Sequence, residues 1–468
     1  MSTSARYLSK SRFKLALECV TKLYYTGKKK QYADESLNDP FLKTLAEGGF
    51  QVGEIAKYLF CEDPVADGIT IDSLDYKVSL DETEKRLNLP GKVVIAEAAF
   101  LFRNLFIRAD IVVKEGKTID LYEVKAKSIE GEETFSEDKF LSFKGKENEC
   151  ISANWQEYFY DLAFQKYVIT QSLTGYDVRA HLLLTDKDAV ATIDGLNQKF
   201  KITREKERTG IIVETGLKAS SLGNIPLRTI NLDKIIDKIW NVYDVPSAYR
   251  RGIKFLEFVA LCEDLYLKDN RQFEKIGSKC KGCQFYAEPV NADGLKSGFH
   301  ECWKNHTNYS DELLSKPHVI DLWGGRTNKY IEENIFLLEN INENEILEKE
   351  NKDKQPAHGL SAAERKAEQI LRARSGTNEC FFDIEGITNE INKWTWPLHM
   401  IDFETSMVAL PFYKNTKPYQ GIAFQFSQHL LHKDGRVEHT HQYLNLTQGF
   451  YPNVEFVKTL KKSLAGDN

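Results

Sequence analysis

Arg108–Lys127, RADIVVKEGKTIDLYEVKAK, is the stretch whose reading decides the fold. Ile111, Val112 and Val113 form an apolar run, Glu115-Gly116-Lys117 has turn composition, and Ile119–Val124 resumes the strand pattern. The stretch therefore reads as two strands joined by a short turn. Side chains alternate faces along a strand, so Glu123 and Lys125 share one face and Val124 takes the other. Asp110, at the start of the first strand, can face that pair across the hairpin. Two carboxylates and one ammonium at a strand edge can hold a divalent metal ion and the water it activates.

Working outward, residues 92–113 are strand-like, with Glu97 interrupting an apolar run between alanines. Such a carboxylate is either exposed on an edge or a ligand. Upstream, residues 9–26 predict one amphipathic helix with Phe13, Leu17, Val20 and Tyr24 on a stripe and Cys19 inside it. Residues 40–60 predict a second helix carrying Glu54. Downstream, residues 151–173 predict a strong helix holding Gln156 and Gln165, and residues 178–186 predict the next strand. Further helices fit 231–243 and 248–268. Strands interleaved with helices mark an α/β fold.

At 468 residues the chain is too long for one ordinary core. Apolar content of 42% and charged content of 28% describe a globular protein, and no run reaches the apolar length of a membrane span. The N-terminal MSTSARYLSKSRFK is basic without an apolar core behind it, so a secretory signal is not expected and the cytoplasm is. The net charge of −6 excludes a globally basic nucleic-acid binder, so any such surface must be local, with Lys10, Arg12, Lys14 and Lys28–Lys30 the candidate phosphate contacts. Eight cysteines in a chain of this kind make a metal site a better question than disulfides. Cys280-x2-Cys283, followed by eighteen residues and Cys302, is a three-thiol cluster needing a fourth ligand. Cys19 is one candidate. His300 and His306 are local alternatives that would make a zinc site.

Together, SRFKLALECVTKLYY before the hairpin, Asp110…Glu123-Val124-Lys125 within it, and C-x2-C…C after it resemble the iron–sulfur subclass of RecB-like PD-(D/E)xK nucleases, which includes the CRISPR-associated exonucleases. The resemblance implies a restriction-endonuclease-like mixed sheet flanked by helices over 1–310. It implies a [4Fe-4S] cluster on Cys19, Cys280, Cys283 and Cys302, clamping residues 261 positions apart (280 − 19). It implies Mg²⁺ or Mn²⁺ on Asp110, Glu123 and the Val124 carbonyl, with Glu54 completing the site by order and Glu97 competing for that place. Lys125 would orient or help deprotonate water, and Gln165, preferred over Gln156, would position it. The implied substrate is single-stranded or end-bearing DNA. A helicase or another repair or defence protein is the implied partner, and no P-loop GxxxxGK[ST] is present to supply unwinding in cis.

Residues 311–374 read as a helical, charged linker, with the most polar stretch at 341–359. In HMIDFET, Asp402 and Glu404 lie two apart on a predicted strand and share a side. This D-x-E resembles the first motif of DnaQ-like exonucleases, and the region from about 395 looks like an uncharacterised domain family found downstream of RecB-like nucleases. The resemblance implies that 375–468 begins an RNase H-like domain whose later acidic motifs are missing. The leading expectation is a metal-dependent DNA exonuclease. The alternatives are a nucleic-acid-binding scaffold of the same fold without turnover, and a zinc-binding interaction protein.

Overall fold

The computed structural model describes residues 6–37, 40–131, 140–144, 148–205, 208–246, 252–288, 294–325, 327–348, 359–377 and 379–465. They form two compact units, one of Met1–Leu17, Pro40–Asp269 and His399–Asn468, the other of Glu18–Asp39 and Asn270–Leu398.

The first unit is an α/β structure with a mixed sheet flanked by helices. Its elements are β1 (Leu8–Ser9), α1 (Lys10–Glu18), α2 (Pro40–Ala56), β2 (Val93–Phe102), β3 (Leu105–Glu115), β4 (Thr118–Ile129), α3 (Ala153–Ser172), β5 (Asp177–Asp186) and β6 (Leu227–Asn231). The expected hairpin is β3–β4, closed at Glu115↔Thr118 with Gly116 at φ +59°, a left-handed turn position that suits glycine. β2 covers one edge of β3 along its length. On the other edge, β4 pairs only as far as Ile111↔Tyr122, and β1 takes over in parallel at Leu105 and Phe106. β3 is thus forked, and Asp110 lies in the fork. β4 and β5 run parallel, which requires a crossover, and α3 supplies it.

The two faces of β4 go to different helices. Val124 packs with Val52 and Ile55 of α2, together with Ile111, Val113 and Leu183. Glu123, pointing the other way, meets α3. Phe13 of α1 stacks on Phe164 of α3 at 4.4 Å, which fixes the start of α1 beside the fork.

The C-terminal strands Leu398–Ser406, Ile422–Leu431 and Val437–Leu444 form a separate sheet, with helix Asn453–Ala465 against it. The segment before the second of these strands is built into the first unit. Ala409 and Leu410 join the core containing Val52 and Ile111, and Ala191 and Thr416 share a backbone hydrogen bond of 3.0 Å.

In the second unit, Trp303, Leu314, Val319, Leu338 and Ile370 share one core. Residues 311–374 therefore do not behave as the expected linker where they are described. Their apolar residues lack a clean period, so the sequence hid a surface that packs irregularly around Trp303. The charged stretch 349–358 lies outside the described residues. No helix among the described residues is long and apolar enough to cross a membrane.

Candidate active site and cysteine cavity

The fork of β3 gathers the carboxylates. Asp110 has just left the β3–β4 ladder, and its Oδ2 accepts the Val124 N–H at 2.8 Å in place of a strand partner. Glu123 is fully buried on the same side of the sheet as α3. Lys125, two residues on, donates to Glu123 and lies 4.0 Å from Asp161 of α3. Gln165 Nε2 donates to Glu123 Oε2 at 2.8 Å and to Asp161 Oδ1 at 3.3 Å, one helical turn away. Gln156, its rival, donates to the Ile151 carbonyl at 2.9 Å and serves the start of the helix instead.

Lys10, the first residue of α1, closes the fork. Its Nζ donates to Asp110 Oδ1 at 3.3 Å and to both Glu123 oxygens, at 3.1 and 3.0 Å. A cationic group therefore already bridges the two carboxylates. That is a direct indication that the pair collects positive charge.

Of the two rivals for a further carboxylate, Glu97 stands opposite Asp110 in the β2–β3 register, between the pairs Ala96↔Ile111 and Ala98↔Ala109. It adopts φ +59°, a strained conformation for a residue with a Cβ, and accepts from Arg108 at 3.1 Å. Glu54 is instead engaged by Lys57 at 2.7 Å. Val124 meets Asp110 through its N–H.

The charges set the protonation states. Burial opposes ionisation of Glu123, but the Lys10 and Lys125 ammoniums, with hydrogen bonds from Lys125 and Gln165, outweigh it and hold the carboxyl well below its usual range. Burial likewise works against the Lys125 ammonium, and the carboxylates of Glu123, Asp110 and Asp161 overcome it, so the ammonium is held more firmly than usual. Asp161 is pushed up to about 7, first by burial and then by Glu123. Its Oδ2 and Gln165 Oε1 are buried without hydrogen-bond partners.

The four expected cysteines meet in the second unit. Cys19, Cys280, Cys283 and Cys302 line one cavity of about 250 Å³, walled also by Ile276 and Trp303. His300 and His306 do not line it; His306 Nδ1 lies 2.9 Å from the Cys302 carbonyl and the His300 ring packs on Tyr286. The expected single helix over 9–26 is broken, ending at Glu18 and resuming at Lys22–Tyr25. The cause is distant in sequence. Glu274 accepts the Val20 N–H at 2.9 Å, and Thr21 Oγ1 donates to the Gln272 carbonyl at 2.9 Å. Cys19 therefore sits at the break. Burial is the leading influence on all four thiols, raising Cys280 to about 11, Cys302 to about 12, and Cys19 and Cys283 above their ordinary values. All four are free of disulfides, and among the described residues no three His, Cys, Asp or Glu side chains are drawn tightly enough around one point to hold a single ion.

Asp402 and Glu404 are both exposed on the first C-terminal strand, and so is Phe403 between them, although its ring lies 5.8 Å from that of Phe456. Sequence reasoning missed two participants. The sequence places Lys10 among candidate phosphate contacts and gives Asp161 no role. The one available signal for Asp161 was its i, i+4 spacing from Gln165.

Residues 399–468 match the model of a domain of unknown function, DUF2779. No curated protein matches the chain.

Proposed function

We propose that the protein is a metal-dependent nuclease of the RecB-like PD-(D/E)xK kind that hydrolyses DNA phosphodiester bonds. The observation that carries this reading is the meeting of Asp110, Glu123, Lys125 and Gln165, from two strands and the crossover helix, around one buried carboxylate. The donor set fits Mg²⁺ or Mn²⁺: two carboxylates already share a cation in Lys10, and Glu97 stands opposite Asp110. Asp110, Glu123 and the Val124 carbonyl would hold the ion, with Glu97 now a stronger candidate than Glu54 to assist. When bound, the ion supplies phosphate polarisation and a more acidic water.

The protein's own groups do the rest. Gln165 fixes Glu123 from behind, and the Val124 N–H fixes Asp110, so neither carboxylate has to reorganise. Lys125 brings a firmly held ammonium to the place where negative charge develops on the phosphate. Hydrolysis forms a P–O bond to water and breaks an ester P–O bond, leaving a phosphate monoester and an alcohol. In the second unit, four thiols around one cavity fit a [4Fe-4S] cluster, a polyatomic group, better than a single zinc ion. Its role there would be to tie the unit together.

The second reading is a nucleic-acid-binding protein without turnover, favoured by Lys10 occupying the bay between the carboxylates. Cleavage of single- and double-stranded DNA with Mg²⁺ or Mn²⁺ separates the two. Activity lost in both Asp110→Ala and Lys125→Ala supports the nuclease; activity retained in both refutes it.

A further inference from the structure

Beyond the carboxylates, side chains of β4 and α3 meet at three successive places. Glu123 meets Gln165 at 2.8 Å. Lys125 meets Asp161 at 4.0 Å. Lys127 Nζ then lies 4.8 Å from the centre of the Trp155 ring and 5.4 Å from that of Tyr158. The helix contributes positions 155, 158, 161 and 165; on the strand Glu123 and Lys125 share a face, and β4 then bulges against β5 before Ser128, where Lys127 meets the rings. Burial falls along the row. Glu123, Asp161 and Gln165 are fully buried, whereas Lys127, Trp155 and Tyr158 are half-buried. The row therefore leads from the reactive centre out to solvent.

Its outer end has the composition of a nucleotide site. Trp155 is held by Phe140 edge-on at 4.9 Å and by Phe159 at 5.8 Å with the rings 24° apart, so little ordering cost remains when something stacks against it. Lys14 reaches the same turn of α3, where Glu157 engages it. Three ammoniums thus gather beside two aromatic rings, Lys14 held by Glu157, Lys125 by Glu123 and Asp161, and Lys127 lying against the rings themselves.

We infer that Lys127, Trp155 and Tyr158, with Lys14, form a subsite for the nucleotide next to the scissile phosphate, the ammoniums taking its phosphate and the rings its base. This rests on the nuclease reading and deepens it. A ring can stack only on a base whose face is free, so the subsite selects single-stranded over duplex nucleic acid.

The test uses the full chain and a short oligothymidylate, with binding measured in EDTA by fluorescence anisotropy and cleavage measured in Mn²⁺. Trp155→Ala and Tyr158→Ala are each expected to weaken single-strand binding on the order of tenfold and to raise KM more than they lower kcat, and Trp155→Phe restores binding. Lys127→Gln should reduce the slope of log affinity against log salt by about 0.7. Binding of a duplex of equal length should change less than that of the single strand. Folded variants with unchanged single-strand affinity and salt slope, or with equal losses on both substrates, overturn the subsite while wild-type cleavage leaves the nuclease reading standing. A wild-type protein that neither cleaves nor binds the oligonucleotide overturns both.

Discussion

Replacing Lys10 by methionine tests the site most sharply. The Lys10 ammonium lies 3.0 Å from Glu123 Oε2 and 3.3 Å from Asp110 Oδ1. Glu123 is fully buried, and the Lys10 side chain is only 23% exposed, so solvent screens the contact weakly. Breaking a buried pair by removing one partner costs about 3–5 kcal/mol. Here Lys125 and Gln165 still hold Glu123, so a loss of about 2–3 kcal/mol is expected without metal. The same ammonium must yield its place before a divalent ion can use both carboxylates. A site competent only after that displacement binds more weakly by the fraction of time it is free. If vacating costs about 1.4 kcal/mol, the apparent metal affinity is lowered about tenfold. Lys10→Met should therefore melt earlier than wild type in EDTA, bind Mn²⁺ on the order of tenfold more tightly by titration calorimetry, and gain more thermal stability from Mn²⁺. Lys10→Arg, which keeps the charge, should behave like wild type in the calorimeter. Unchanged or weaker Mn²⁺ binding in a folded Lys10→Met would refute the reasoning.

Gln165→Ala removes the amide that orients Glu123, and should lower cleavage about 10- to 100-fold with less effect on DNA binding, checked by steady-state kinetics and anisotropy. Asp161 has its folded value raised to about 7 by burial and by Glu123, so its contribution to stability is full in acid and is lost as pH rises through that value. In the metal-free protein, the melting-temperature advantage of Asp161→Asn over wild type should therefore widen from about pH 5 to about pH 8. Purified anaerobically, the wild-type protein should be brown and contain iron, and Cys19→Ser should lose both colour and iron; a colourless wild-type protein holding zinc would contradict the cluster. A fragment of residues 375–468 should not cleave DNA, since Asp402 and Glu404 are exposed and Leu410 loses the core it packs in.

The hairpin was legible because both strands carry β-branched runs and the turn carries glycine. The pairing of Glu123 with Lys125 followed from strand alternation alone. Choosing Gln165 over Gln156 could not be done by period, because both lie on one helix; the choice depends on which turn of α3 crosses β4. Lys10 looks like a surface base in the sequence because a two-residue strand has no signature there, and only the parallel pairing of β1 with β3 carries it into the fork. The break at Cys19 was hidden for a similar reason. The apolar stripe through Phe13, Leu17, Val20 and Tyr24 predicts helix, but the buried carboxylate of Glu274 outcompetes the helix for the Val20 N–H. Local pattern cannot report a partner 254 positions away.

That separation also orders events in time. Val20, Thr21 and Tyr25 find distant hydrogen-bond partners in Glu274, Gln272 and Cys302, so on a ribosome those bonds must wait until these residues have been made. At roughly 5–20 residues per second, the 254 positions between Val20 and Glu274 correspond to a wait of about 13–50 s. During that interval the Cys19 thiol belongs to a nascent chain rather than to a cavity wall. On the proposed reading, a [4Fe-4S] cluster would find its complete quartet only after Cys302 has been synthesised, so its insertion would fall late in the making of the chain.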